Sequence, residues 1–101
     1  MNILINNSDF KNNHVTKYGG AVNIEAEDVA IKSSIFNFNK ANIDGGAVYI
    51  KGKNTLIVTS SFNSNEAVPD VDKLDDGLGG AIYINSSYAS IKNNSFKFNI
   101  A

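Results

Sequence analysis

Two short markers recur along this chain at matched intervals, and together they leave few folds open. Gly-Gly-Ala occurs at Gly19, Gly45 and Gly79, and Phe-x-x-Asn at Phe10, Phe36, Phe62 and Phe96. The glycine intervals are 26 and 34 residues, and the phenylalanine intervals are 26, 26 and 34. Both markers therefore share one period of 26 and one insertion of eight residues (34 − 26), which falls between Asn65 and Gly79, within residues 66–78. A fixed period of this size is the mark of a repeat architecture, in which each unit buries its apolar face against its neighbours.

Written in register, the rest of the chain falls into columns. Ile5, Ile31, Ile57 and Ile91 form one. Phe10, Phe36, Phe62 and Phe96 form another, and Asn13, Asn39, Asn65 and Asn99 a third. Val15, Ala41, Ala67 and Ala101 follow as a small apolar column. After the glycine pairs (Gly19 and Gly20, Gly45 and Gly46, Gly79 and Gly80) come Val22, Val48 and Ile82, then Ile24, Ile50 and Ile84.

Within each unit the apolar residues alternate with a period of two, as in Val22/Ile24 and Val29/Ile31, so the segments read as strands with one buried face. No segment carries a sustained helical period. The reading is three short strands per unit, about five residues each, separated by Gly, Asn, Asp and Ser. The chain has 16 Asn, which disfavours helix and suits tight turns. Strands that stack one full turn apart run parallel at about 4.8 Å. The expected fold is all-β: a parallel β-helix of about 26 residues per coil and three to four coils, with Ile, Val, Phe and Ala columns as its core. A two-sheet sandwich would not demand a constant 26-residue period.

The Asn column is expected at a corner, where Asn accepts turn dihedrals and can bond from coil to coil as a ladder. The glycine pairs are expected at another corner, where positive φ or close backbone approach is required. Outward positions fit the same register. Glu25 would lie over Lys51, and Glu27 over Lys53, pairs worth roughly 0.2–1 kcal/mol each.

The paired markers, here GGAVNI, GGAVYI and GGAIYI with FKNN, FNFN, FNSN and FKFN, resemble the repeats of the chlamydial polymorphic outer membrane protein family. They are equally similar to adhesin-like repeat proteins of methanogenic archaea. The resemblance covers nearly the whole chain. It implies a right-handed parallel β-helix that serves as the passenger or stalk of a cell-surface adhesin. An extracellular or cell-surface location follows from it, as does an unidentified partner on a host or neighbouring cell.

Composition narrows the functional classes. The net charge of −1, with nine Lys and no Arg, lacks the footprint of a nucleic-acid binder. No apolar run approaches the roughly 20 residues that cross a bilayer, so no membrane span is expected. The absence of Cys excludes disulfides and thiol chemistry. His14 is the one histidine, in a column with Lys40, Glu66 and Ile100, and is expected to face solvent. No catalytic residues, no cofactor and no enzyme activity are expected.

Asp70, Asp72, Asp75 and Asp76 could supply oxygen ligands to Ca²⁺. Their spacing does not match the known calcium loops, so the expected reading is a solvated loop with no metal. Tyr49 and Tyr83 share an outward column with Asn23 and are expected to pack on each other along the sheet. Asn6, Asn85 and Asn93 head Asn-x-Ser sequons, relevant only on secretion from a glycosylating cell.

The functional expectation is a non-catalytic repeat segment, a rigid stalk that also presents a surface. The alternative is a carbohydrate-active enzyme or carbohydrate-binding module on a pectate-lyase-like β-helix. That reading calls for acidic and basic side chains grouped on one outer face over several coils, and no such grouping is present. The chain opens partway through a coil and stops before the next Gly-Gly, so residues 1–101 are expected to be one segment of a longer array. Exposed strand edges at both ends imply end-to-end self-association.

Overall fold

The computed structural model describes residues 2–68 and 79–101. Every secondary-structure element there is a strand, and every pairing is parallel. The chain winds through three sheets in turn. The first sheet stacks β1 (Asn2–Asn6), β4 (Val22–Lys32), β7 (Val48–Val58) and β10 (Ile82–Lys92) in that order. The second stacks β2 (Asp9–Lys11), β5 (Ile35–Asn37), β8 (Ser61–Asn63) and β11 (Ser95–Lys97). The third stacks β3 (His14–Val15), β6 (Lys40–Ala41) and β9 (Glu66–Ala67), and Ile100 continues it by bridging to Glu66. The fold is a parallel β-helix.

Register follows the sequence columns. Ile5 pairs with Ile31, Ile31 with Ile57 and Ile57 with Ile91. Phe10 pairs with Phe36, Phe36 with Phe62 and Phe62 with Phe96. Ile31, Phe36, Val48, Ile50, Ile57 and Phe62 have no exposed surface, so the core runs up the axis of the coil. Phe36 and Phe62 lie 4.8 Å apart, centroid to centroid, with planes 2° apart. That offset stack adds about 0.5–1.5 kcal/mol to what burial of the rings contributes.

The strands differ in length from the sequence expectation. The short strands around each glycine-led run join into single strands of 11 residues, whereas the other two sides have only three and two. The join is a bend. In β4 the buried positions are Val22 and Ile24 before it and Val29 and Ile31 after it, so the inward set switches from even to odd numbers. The ladder skips Glu27, Lys53 and Ser87 at this bend. Small residues precede each skip, namely Ala26, Gly52 and Ser86, and a Cβ on Gly52 would collide with the Ala26 carbonyl oxygen. Glu25 therefore pairs with Lys51, but Glu27 and Lys53, expected to pair as well, sit where the ladder is interrupted.

The turns also depart from expectation. The left-handed residues form two columns, Asn7, Ser33, Thr59 and Asn93, and Asn12, Phe38, Ser64 and Phe98. Each stands one residue before a hydrogen-bonding column rather than in it. The Asn13 column therefore does not carry the turn dihedral. In each glycine pair the two residues divide the work. Gly45 has φ of 68°, and a Cβ on Gly46 would collide with the Gly80 carbonyl oxygen.

What the asparagines do is bond coil to coil. The Asn39 backbone N–H and Nδ2 both donate to Asn65 Oδ1 at 3.0 Å. Asn65 repeats this toward Asn99 at 2.9 Å, and Asn13 toward Asn39 at 3.0 Å. The second Nδ2 proton reaches back to the preceding coil, from Asn39 to Phe10 O and from Asn65 to Phe36 O. Asn39 and Asn65 are buried with their amides fully used. A second ladder runs through Ser8, Ser34, Ser60 and Asn94, where each backbone N–H donates to the side-chain oxygen of the next coil.

Phe62→Ala should cost about 3–5 kcal/mol, the usual range for emptying a buried phenylalanine site. Asn65→Ala should destabilise comparably, since it leaves the donors of Asn39 and the Phe36 carbonyl without partners at roughly 1–3 kcal/mol per buried group. Denaturant midpoints at one fixed protein concentration check both. An Asn65→Ala midpoint equal to that of the unaltered chain would remove the ladder from the account.

Candidate functional site

With inward side chains committed to the core and the ladders, the surface available for recognition is the outer face. The bend in the long strands shapes it. Beyond the bend, even-numbered residues point outward and stack in two columns. One contains Asn2, Asp28, Asn54 and Tyr88, and the other Leu4, Ala30, Leu56 and Ser90. They line an open groove of about 790 Å³ that crosses all four strands. Its floor is hydrocarbon from Leu4, Ala30 and Leu56. Its edge is polar, and Asn54 Nδ2 donates to Asp28 Oδ1 at 2.9 Å. Leu4 and Tyr88 are the most exposed members, at 63% and 71%.

The other feature of this face is a stack of tyrosines before the bend. Tyr49 and Tyr83 are paired in register, with ring centroids 5.0 Å apart and planes 3° apart. Tyr18 extends the stack against Tyr49 at 4.6 Å, tilted by 40°. Tyr18 comes from the corner before Gly19, outside the Tyr49 column, and so is invisible to a column reading. Burial pushes the Tyr49 phenol above its ordinary value of 10.0, and Tyr83, Tyr18, Asp44 and Glu25 push the same way.

Other sequence candidates fall in separate places. His14 is exposed on β3, beside Lys40, and its Nε2 lies 3.3 Å from Asn42 Oδ1. Asn6, Asn85 and Asn93 are exposed. The groove and the tyrosine stack bring none of these together. The acidic cluster of Asp70, Asp72, Asp75 and Asp76 lies outside the described residues. Among the described residues no three His, Asp or Glu side chains form a group that could hold a metal ion. No helix there is long and apolar enough to cross a membrane, which says nothing of a β-barrel.

The model of the Chlamydia polymorphic membrane protein repeat matches residues 5–25 and 59–85. Over these two stretches the chain is similar to the repeats of the polymorphic membrane protein family. Each matched stretch holds one Phe-x-x-Asn and one Gly-Gly-Ala, at Phe10 and Gly19 in the first and at Phe62 and Gly79 in the second. Between them, the coil with Phe36 and Gly45 pairs in register with both. The polymorphic membrane protein family implies an outer-membrane or cell-surface location, and the fold is consistent with an adhesin-like role there. No curated protein and no solved structure gives a significant match.

The Tyr49 phenol gives a pH prediction. A proton held more tightly in the folded state stabilises fully below the unfolded value, and that contribution is lost as pH rises through the folded one. Stability should therefore fall as pH climbs above 10.0. Tyr49→Phe should weaken that alkaline loss, measured as the unfolding midpoint against pH. Identical alkaline limbs for the two chains would contradict the placement of Tyr49.

Proposed function

We propose that this chain is a non-catalytic segment of a cell-surface adhesin-like protein, a rigid stalk whose outer face meets molecules on a host or neighbouring cell. The observation that carries this reading is the division of labour in each coil. Inward positions are filled by stacked identical or similar side chains, whereas the outward columns differ from coil to coil, as in Leu4, Ala30, Leu56 and Ser90. A scaffold of this kind can vary its surface without disturbing its core.

Rigidity follows from three sheets and two side-chain ladders tying the same coils together. Reach is gained slowly, since each coil adds only the 4.8 Å seen between Phe10 and Phe36. A stalk of useful length therefore needs many coils, which suits one segment of a long array. The groove lined by Leu56 and Tyr88 is the part of the surface best shaped for contact, because its hydrocarbon floor gains from losing water and its edge can orient a ligand.

The eight-residue insertion belongs to the same reading. On one side of it Val68 N donates to Ala41 O at 2.9 Å, and on the other Gly46 N donates to Gly79 O at 2.9 Å. Both flanks are held by the coil beneath. The eight extra residues within 66–78 are proposed as an insertion tolerated by the scaffold, since closure entropy grows slowly with loop length.

Two experiments test the proposal. Deleting Pro69 to Asp76 should preserve the β-sheet circular dichroism, and losing that signal would make the segment structural. Beads coated with the chain should attach to cultured epithelial cells above beads coated with albumin. Leu56→Asp, at the groove floor, should reduce attachment several-fold without altering the circular dichroism. Attachment no better than albumin would sink the adhesive reading.

A further inference from the structure

Tyr18, Tyr49 and Tyr83 form a stack on the outer surface, apart from both the core and the groove. Tyr49 and Tyr83 hold the same position in successive coils, so ring lies over ring, 5.0 Å between centroids and 3° from parallel. Phe36 and Phe62 have nearly the same geometry, at 4.8 Å and 2°. The two pairs differ in surroundings and in chemistry. The phenylalanines are sealed in the core, whereas both tyrosines are half-buried and reach solvent. A phenol, unlike a benzene ring, gives up an electron and a proton readily. The phenoxyl radical left behind carries spin on the two Cε carbons beside the oxygen-bearing carbon.

We propose that Tyr49 and Tyr83 are the site of an oxidative cross-link, a dityrosine that joins two successive coils. The oxidant is hydrogen peroxide acting through a haem peroxidase. Each phenol loses one electron and its hydroxyl proton, and the two electrons and two protons reduce one peroxide to two waters. The two radicals couple through one Cε of each ring. Each of those carbons then releases its hydrogen as a proton, each oxygen takes one up, and both rings regain aromaticity. The net change is one C–C bond formed and two C–H bonds broken. The inference rests on the tyrosine register and not on the surface role proposed above.

Position gives such a link its effect. Tyr49 and Tyr83 are 34 residues apart (83 − 49), and the eight-residue insertion lies between them. A cross-link restricts the unfolded chain more as the loop it closes lengthens. This one closes the longer of the two coil intervals and ties together the coils that flank the insertion. Tyr18 is the poorer partner, since it meets Tyr49 from another column and at a tilt of 40°. Tyr88 is exposed and pairs in register with Asn54, so its coupling would run to other chains.

The test uses the full chain, dilute, with a haem peroxidase and hydrogen peroxide, in a Tyr88→Phe background that removes the exposed competitor. Trypsin cuts after lysine and leaves Tyr18, Tyr49 and Tyr83 on separate peptides, 18–32, 41–51 and 74–92. The monomer fraction should show dityrosine fluorescence and peptide 41–51 joined to 74–92 with two hydrogens lost, several-fold above any adduct of 18–32. The linked chain should unfold at a higher denaturant midpoint than the untreated one. Adding Tyr83→Phe, which removes only a hydroxyl, should abolish that joined peptide and most of the shift. No joined peptide under conditions that couple free N-acetyltyrosine would overturn the proposal. So would Tyr18 and Tyr83 joined to Tyr49 in equal yield.

Discussion

Asn39 and Asn65 are amides sealed inside a β-sheet protein, and the rest of the fold depends on how they are satisfied. Asn65 Oδ1 accepts from both donors of Asn39, and its Nδ2 protons go to Asn99 Oδ1 and Phe36 O. A buried amide left unpaired costs about 1–3 kcal/mol per group. Apolar columns alone would tolerate a slip, because Ile on Val packs nearly as well as Ile on Ile. The ladder does not tolerate it, since a displaced Asn finds carbon where it needs nitrogen or oxygen. Register is therefore set by the polar column and the apolar columns follow.

The same constraint explains the turns beside it. Holding each Asn inward while the chain changes direction requires the preceding residue to take a left-handed conformation. The side chains found there are Asn12, Phe38, Ser64 and Phe98, which share no chemistry. Phe38 and Phe98 are exposed at 58% and 83% because the turn points them outward. Backbone geometry is fixed at this position while the side chain is free, the reverse of the situation one residue later. A surface assembled from such free positions can differ in every coil on one scaffold, which is what an adhesin-like role requires.

The sequence reveals a feature here when the feature needs the same letter in every coil. The Phe stack, the Asn ladder and the Gly-Gly corners do, so the parallel coil and its register can be read without a structure. The second ladder needs only an oxygen acceptor, and it passes from Ser8, Ser34 and Ser60 to Asn94. Its signal is the residue two before each Phe of the stack, a mixed column and hence easily missed. The bend needs smallness rather than identity, met by Ala26, Gly52 and Ser86. The groove is least legible, because Leu4, Ala30, Leu56 and Ser90 form a site only once the bend has turned them outward together. Tyr18 joins the tyrosine stack across a corner, where sequence spacing no longer reports distance.

Amide hydrogen exchange of the unaltered chain tests the central claim most directly. The backbone N–H groups of Asn39 and Asn65 donate to side chains of the next coil and not to the backbone of a neighbouring strand. If the ladder holds the coils in register, these two amides exchange as slowly as those of Ile50 and Ile57 in the core strand. Exchange at the unprotected rate, with Ile50 and Ile57 still protected, would mean that the sheets stand without the ladder and would contradict the account.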